Sequence, residues 1–301
     1  MRYRFYFLFT FFTFLFLFYP GDSYYFHFFA YNRALFAKEE KPAILKIGPV
    51  PFLKSQYYPS ITAQGVYVVD LPSFTPVFYL NPKAKFLPAS TTKIITALVA
   101  NSVFKPYDVL TVKTGNVDGQ VMGLVPGEKI TAENLMYGML VYSGNDAALA
   151  FADNYGYDKF IKLMNEKAQE LKMTGSHFVN PVGYDSSGQY STPFDLALGA
   201  RELLKNSYLS NIVSIKEITV SDTNFKYFHH LTNVNQLLGE IQGVGGLKSG
   251  YTQDAGENLV TFYKYAGHQF ILVVLKSTDR FADTRNIINW IDSNVDYFNP
   301  Q

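Results

Sequence analysis

Residues 246–275, GLKSGYTQDAGENLVTFYKYAGHQFILVVL, carry the stretch that decides the fold. Three strand-like runs, Gly246 to Tyr251, Asn258 to Tyr263 and Gln269 to Leu275, are joined only by Asp254-Ala255-Gly256 and Ala266-Gly267. Connections this short cannot cross over a sheet, so the three strands are antiparallel neighbours. Far upstream, Gly65 to Asp70 and Val77 to Leu80 flank the turn Leu71-Pro72-Ser73 and form a second antiparallel hairpin. Between the two sets, roughly 105–240, the pattern is mostly helical. Thr131 is a good N-cap for Ala132 to Leu140, and Asn145 to Tyr155 and Asp158 to Leu171 follow. An amphipathic helix from Thr284 to about Tyr297 closes the chain. The expected fold class is α+β: a five-stranded antiparallel sheet flanked by helices, its strands drawn from both ends of the chain, with a mainly helical subdomain inserted between them. A seam between sheet and insertion is a natural place for a cleft.

Composition narrows the function classes. The chain has 301 residues, 48% of them hydrophobic, which is enough for a sizeable core. Its formal net charge of +1, with Lys and Arg scattered, argues against nucleic acid as a partner. There is no cysteine, so thiol catalysis, disulfides and cysteine-ligated zinc are excluded. The five histidines, His27, His177, His229, His230 and His268, show no metal-binding spacing and read as structural or surface residues; neither a metal nor another cofactor is expected.

The start of the chain reads as a targeting segment. Met1-Arg2-Tyr3-Arg4 is basic, residues 5–19 carry no charge, and the run ends at Pro20-Gly21. Residues 1–37 are therefore expected to be a signal peptide or an uncleaved N-terminal membrane anchor, 38–60 a linker and 61–298 the catalytic domain. The expected location is the extracytoplasmic envelope, secreted or anchored.

Three short motifs carry the chemistry. Pro88-Ala89-Ser90-Thr91-Thr92-Lys93 places Ser90 at a helix start and Lys93 on the same face, where an amine can sit beside a hydroxyl. A serine hydroxyl needs a base to take its proton, and a lysine serves when burial or nearby positive charge lowers its pKa. Ser143-Gly144-Asn145 reads as a tight turn between helices. Lys248-Ser249-Gly250 lies on a strand after Gly245-Gly246, where small residues let a peptide backbone approach. Each motif alone is weak; an isolated Ser-x-x-Lys is usually an N-cap and an exposed lysine. The three in this order match the Ser-x-x-Lys, Ser-x-Asn, Lys-Thr-Gly set of penicillin-binding proteins and β-lactamases, with Ser249 keeping the hydroxyl of the usual threonine.

The sequence thereby resembles the serine D-alanyl-D-alanine carboxypeptidases among the low-molecular-mass penicillin-binding proteins, from about Gly65 to Tyr297. Further blocks carry the similarity: Phe86-Leu87 before the first motif, Asp146-Ala147-Ala148 after the second, Phe178-Val179-Asn180-Pro181, Tyr190 to Ala197, and Gly246 to Thr252. The resemblance implies a β-lactamase/transpeptidase-like fold. It implies Ser90 as acyl-enzyme nucleophile, Lys93 as general base, Ser143 as proton relay, and Asn145 as the residue holding the substrate amide. Lys248 and Ser249 of the Lys248-Ser249-Gly250 motif would bind the terminal carboxylate, and the amides of Ser90 and Tyr251 would form the oxyanion hole. Implied partners are peptidoglycan stem peptides and, as covalent inhibitors, β-lactams. An uncleaved N-terminal segment would add the membrane. Val182 and Gly245 stand where the family usually has His and Asp. The resemblance is not carried past the closing helix, so any membrane tether is expected at the N-terminus. A D,D-endopeptidase would use the same residues, and a wall-binding module would keep the fold without turnover. A β-lactamase would need a Glu-x-x-Leu-Asn pattern that Glu166 and Glu170 do not supply.

Overall fold

The computed structural model describes residues 2–18 and 48–298 and divides the chain into two units, 1–47 and 48–301. In the first, α1 (Arg2–Phe18) is a helix of aromatic and aliphatic side chains with none buried. Among the described residues, no helix is long and apolar enough to cross a membrane. The remainder of the expected targeting segment and the first part of the expected linker, 19–47, lie outside the described residues.

The second unit begins earlier than the sequence pattern suggests. Residues 48–60 are not a linker: β1 (Val50–Leu53) pairs antiparallel with β11 (Val295–Phe298), Val50 opposite Phe298 and Leu53 opposite Val295. The following stretch is fastened by the Trp290 indole N–H to the Tyr57 carbonyl at 2.8 Å and by the Ser55 hydroxyl to the Asn294 side chain at 2.7 Å. The closing helix accordingly starts and ends earlier than expected. It is α8 (Arg280–Asn294), capped by Asp279, and Val295 onward turns extended to receive β1.

The two ends of the chain meet in the sheet. β2 (Gly65–Asp70) and β3 (Pro76–Leu80) form the upstream hairpin, while β8 (Val244–Thr252), β9 (Gly256–Tyr265) and β10 (His268–Ser277) form the downstream meander. The order is β3-β2-β10-β9-β8, all antiparallel. The join is β2 against β10, with Val69 opposite Ile271 and Val66 opposite Val274. β2 and most of β10 are buried, because helices cover both faces. One face carries α8, packed through Ile287, Ile288, Trp290 and Ile291 onto Val68, Leu272 and Val274. The other face carries the helical block through Val69, Ile271 and Val273.

That block contains α2 (Lys93–Val103), α3 (Ala132–Leu140), α4 (Asn145–Tyr155), α5 (Tyr157–Glu170), α6 (Pro193–Lys205) and α7 (Ser207–Val213). Thr131 caps α3 by accepting from the Asn134 amide, as its sequence position predicts. Two small ribbons, β4 (Val109–Thr111) with β5 (Lys129–Thr131) and β6 (Glu217–Ser221) with β7 (Phe228–Thr232), interrupt the block. Their three to five residues are too short to stand out against helical periodicity. α2 is buried along nearly its whole length, which fixes its first residue, Lys93, in the interior.

Candidate active site

A 3₁₀ turn, Ala89–Thr92, precedes α2 and carries Ser90. Pro88 starts it, with its carbonyl accepting from the Thr91 amide at 3.2 Å and the Thr91 hydroxyl at 2.6 Å. Ala89 sits at φ +47, a conformation most side chains avoid, and is completely buried. β8 is an edge strand, and its free side lies against this turn. A Cβ on Gly250 would stand 2.7 Å from the Ser90 nitrogen, so only glycine permits the approach. A glycine pair before the motif, Gly245-Gly246, introduces a register shift between Val244 and Leu247.

Lys93 is 0% exposed, and its amine has three neighbours: Ser90 Oγ at 2.8 Å, Asn145 Oδ1 at 2.7 Å and the Val182 carbonyl at 3.0 Å. Two of these can only accept. A neutral amine has two N–H bonds to give them and one lone pair left for the third neighbour, a hydroxyl. Burial lowers the Lys93 pKa from 10.5 to about 7, against an opposing pull from the Asp146 carboxylate. Burial therefore favours the neutral amine, and in that state its lone pair can face Ser90 while its two N–H bonds go to Asn145 and Val182.

Asn145 opens α4, and its amide orientation is fixed by both ends. Oδ1 faces Lys93 while Nδ2 donates to the Asp118 carbonyl at 2.7 Å. In this structure its amide group is engaged within the protein rather than presented to a ligand. Ser143 lies in the turn between α3 and α4 at φ +67 and is 5% exposed. Its side chain makes no hydrogen bond among the described residues, but it lines the same cleft as Ser90. Strained backbone at both Ala89 and Ser143 brackets this cleft.

The cleft, about 480 Å³, runs between two walls. Asp118, Gly119, Gln120, Ser143 and Asn145 supply one, and Ser249, Gly250, Tyr251 and Thr252 of β8 the other. Ser249 is buried at the lining, whereas Tyr251 is 64% exposed. Lys248 is not on the cleft surface. Its amine is buried and donates to the Ser249 carbonyl at 2.8 Å, and burial, Lys93 and Arg280 together push its pKa well below the ordinary lysine value.

The cation that does line the cleft is Arg280, unread in the sequence. Nη1 donates to the Gly250 carbonyl at 2.9 Å, and the buried Nε has no partner. It stands at the start of α8, beyond the Lys-Ser-Gly motif, and no local pattern marks it. Asp146 was also unread as a site residue, although it adjoins Asn145. Its carboxylate accepts from the amides of Met122, Gly123, Leu124 and Ala147 at 2.9–3.0 Å and so shapes the end of the wall segment 118–124. His229 adds a brace there, with Nδ1 3.1 Å from the Met122 carbonyl and Nε2 2.8 Å from the Glu128 carboxylate. Among the described residues no cluster of side chains could hold a metal ion.

Comparison with known proteins agrees with this geometry. The family model for D-alanyl-D-alanine carboxypeptidase matches residues 53–279. The chain is 30% identical over 224 residues to the D-alanyl-D-alanine carboxypeptidase DacF of Bacillus subtilis (strain 168), covering 70% of this chain and 57% of that protein. It is 32% identical over 252 residues to DacC of Escherichia coli (strain K12), covering 77% and 62%. The crystal structure of the Streptomyces K15 DD-transpeptidase superposes with a TM-score of 0.74 at 30% identity, over 78% of this chain and 98% of that one. The chain thus spans less than two thirds of the Bacillus and Escherichia relatives. On the extent of the family match and the level of identity, the chain belongs to the D-alanyl-D-alanine carboxypeptidase family.

Proposed function

We propose that this chain is a serine D,D-peptidase that removes the terminal D-alanine from peptidoglycan stem peptides through an acyl-enzyme on Ser90. The observation that carries the reading is the buried Lys93 amine, 2.8 Å from Ser90 Oγ, with its pKa drawn down to about 7. Lys93 takes the Ser90 proton as Oγ attacks the carbonyl carbon of the penultimate D-alanine. The oxyanion is held by the amides of Ser90 and Tyr251, a type of contact whose loss typically costs about 2.7–4 kcal/mol. The C–N bond then breaks, and the proton on Lys93 passes by way of the Ser143 hydroxyl to the departing amine. Water reverses the sequence to free the acyl group.

Asn145 serves as the residue that aims Lys93, through the bond from Lys93 Nζ to its Oδ1. The terminal carboxylate lies at the Ser249 hydroxyl and the Arg280 guanidinium; the burial of Lys248 favours Arg280 over Lys248 as the charge that meets it. A guanidinium keeps its charge where a desolvated amine does not. β-Lactams would acylate Ser90 in the same way. Release is slow on this reading, since Glu166 and Glu170 are exposed on α5 and paired with Lys162 and Lys167, away from the cleft. The substrate implies the bacterial cell envelope, and the basic, then apolar, N-terminal segment acts as the export signal or anchor. Intact-mass spectrometry of the full chain with a penicillin, beside Ser90→Ala, tests the proposal. A stable adduct mapped to Ser90 and absent from the variant is expected, together with D-alanine release from a pentapeptide. A folded chain that forms no adduct and releases no D-alanine would refute it.

A further inference from the structure

Tyr184 and Asp185 are adjacent in the chain but reach opposite walls of the cleft. The Tyr184 hydroxyl donates to the Asp118 carbonyl at 2.9 Å, and the Asp185 carboxylate accepts from the Thr252 hydroxyl at 2.9 Å. Asp118 belongs to the wall that carries Ser143 and Asn145, and Thr252 ends β8. Beneath them, the same segment is pinned to the floor. The Val182 carbonyl accepts from Lys93, and Gly183, at φ +94, lies so close to the Ser90 turn that a Cβ would stand 1.8 Å from the Ala89 carbonyl oxygen. Asn180 Oδ1 gathers the amides of Val182, Gly183 and Tyr184, so the loop's shape is set before any ligand arrives. Among the described residues no hydrogen bond joins the two walls elsewhere along the cleft; the Arg280 side chain, beside the β8 wall, bonds only to Gly250 of that same wall.

We infer that Tyr184 and Asp185 form a clasp closing one end of the cleft, and that Tyr184 determines how much of the peptide before the scissile bond lies along β8; this rests on the D,D-peptidase reading. With the terminal carboxylate at Ser249 and Arg280 and the scissile carbonyl over Ser90, the remaining path ends at Thr252. From Ser249 to Thr252 an extended strand covers about 10 Å, room for roughly the last two or three residues of a substrate. A longer peptide turns out of the groove over the Tyr184 ring. The site therefore reads the terminus of the stem peptide and gains little from the residues before it.

The experiment compares the full chain with its Tyr184→Phe and Tyr184→Ala variants on acetylated D-Ala-D-Ala, the corresponding tripeptide and a pentapeptide with the same end. The readout is kcat/KM for D-alanine release, with penicillin acylation of Ser90 followed in parallel. The wild-type chain should vary less than roughly threefold across the series. Tyr184→Ala should raise the ratio of pentapeptide to dipeptide by about tenfold, and Tyr184→Phe, which keeps the ring and loses only the tether, should fall between. Unchanged ratios in both variants, with Ser90 still acylated, would overturn the clasp while sparing the peptidase reading. So would a wild-type chain that already favours the pentapeptide by more than about tenfold. Failure of the wild-type Ser90 to acylate would remove the peptidase reading and the clasp with it. Tyr184→Phe deletes a single hydroxyl, so the comparison stands even if Tyr184→Ala does not fold.

Discussion

Asn145 Oδ1 accepts from Lys93 Nζ at 2.7 Å, and the other end of the same amide is held by the Asp118 carbonyl, so the amide cannot flip without losing both bonds. An oxygen in that place stabilises a Lys93 proton less than a carboxylate would. Asn145→Asp is expected to raise the Lys93 pKa, because an adjacent anion favours the ammonium by about 1–3 pH units. The pH profile for penicillin acylation should move to higher pH by that amount, measured by stopped-flow or quenched mass spectrometry. An unshifted profile would separate Asn145 from the base.

For the wild-type chain, acylation should rise with pH through about 7 as Lys93 sheds its proton. Stability carries the same signature. The folded pKa lies below the ordinary 10.5, so between the two values the unfolded chain holds a proton that the folded chain does not. Raising the pH through that window must therefore favour the folded state. Relative to Lys93→Met, the wild type should gain up to about 1.4 kcal/mol per pH unit above 7, read from urea melts at several pH values. A difference independent of pH would show that Lys93 stays charged.

The wall segment 118–124 depends on Asp146. Its carboxylate satisfies four backbone amides, and removing it leaves buried donors unpaired. Asp146→Ala should destabilise the protein by roughly 3–5 kcal/mol, with hydrogen exchange accelerated first at Met122 to Leu124. Uniform loss of protection across the sheet and the wall would instead mean that the carboxylate supports the whole fold.

Much of this arrangement was legible in the sequence, for identifiable reasons. The strands of residues 246–275 declare themselves because their connections are too short for any alternative, and Thr131 announces α3 because capping is a local interaction. Ser90 and Lys93 share a face through helical spacing alone. What was missed depends on contacts between distant segments. β1 pairs with β11 across almost the whole chain, and neither four-residue strand has a pattern of its own. Arg280 reaches the cleft only because α8 starts where β10 ends beside Gly250. Lys248 is buried with Lys93 and Arg280 near enough to help lower its pKa, three basic side chains brought together by the fold and not by the motif.

That cluster yields the last prediction. Arg280 contributes to lowering the Lys248 pKa, bonds the Gly250 carbonyl, and is the only Lys or Arg among the described residues that line the cleft. Arg280→Leu removes a cation from the proposed carboxylate subsite and relieves the repulsion on Lys248, so the Lys248 pKa should rise as affinity falls. Loss of one charged contact to a carboxylate costs about 1.5–3 kcal/mol, or roughly 10- to 150-fold in kcat/KM for D-alanine release. The loss should shrink for a substrate whose terminal carboxylate is replaced by an amide, because that substrate has no charge for Arg280 to meet. Equal losses on the acid and the amide would mean that Arg280 acts by supporting β8 through Gly250, and the carboxylate would then need another partner.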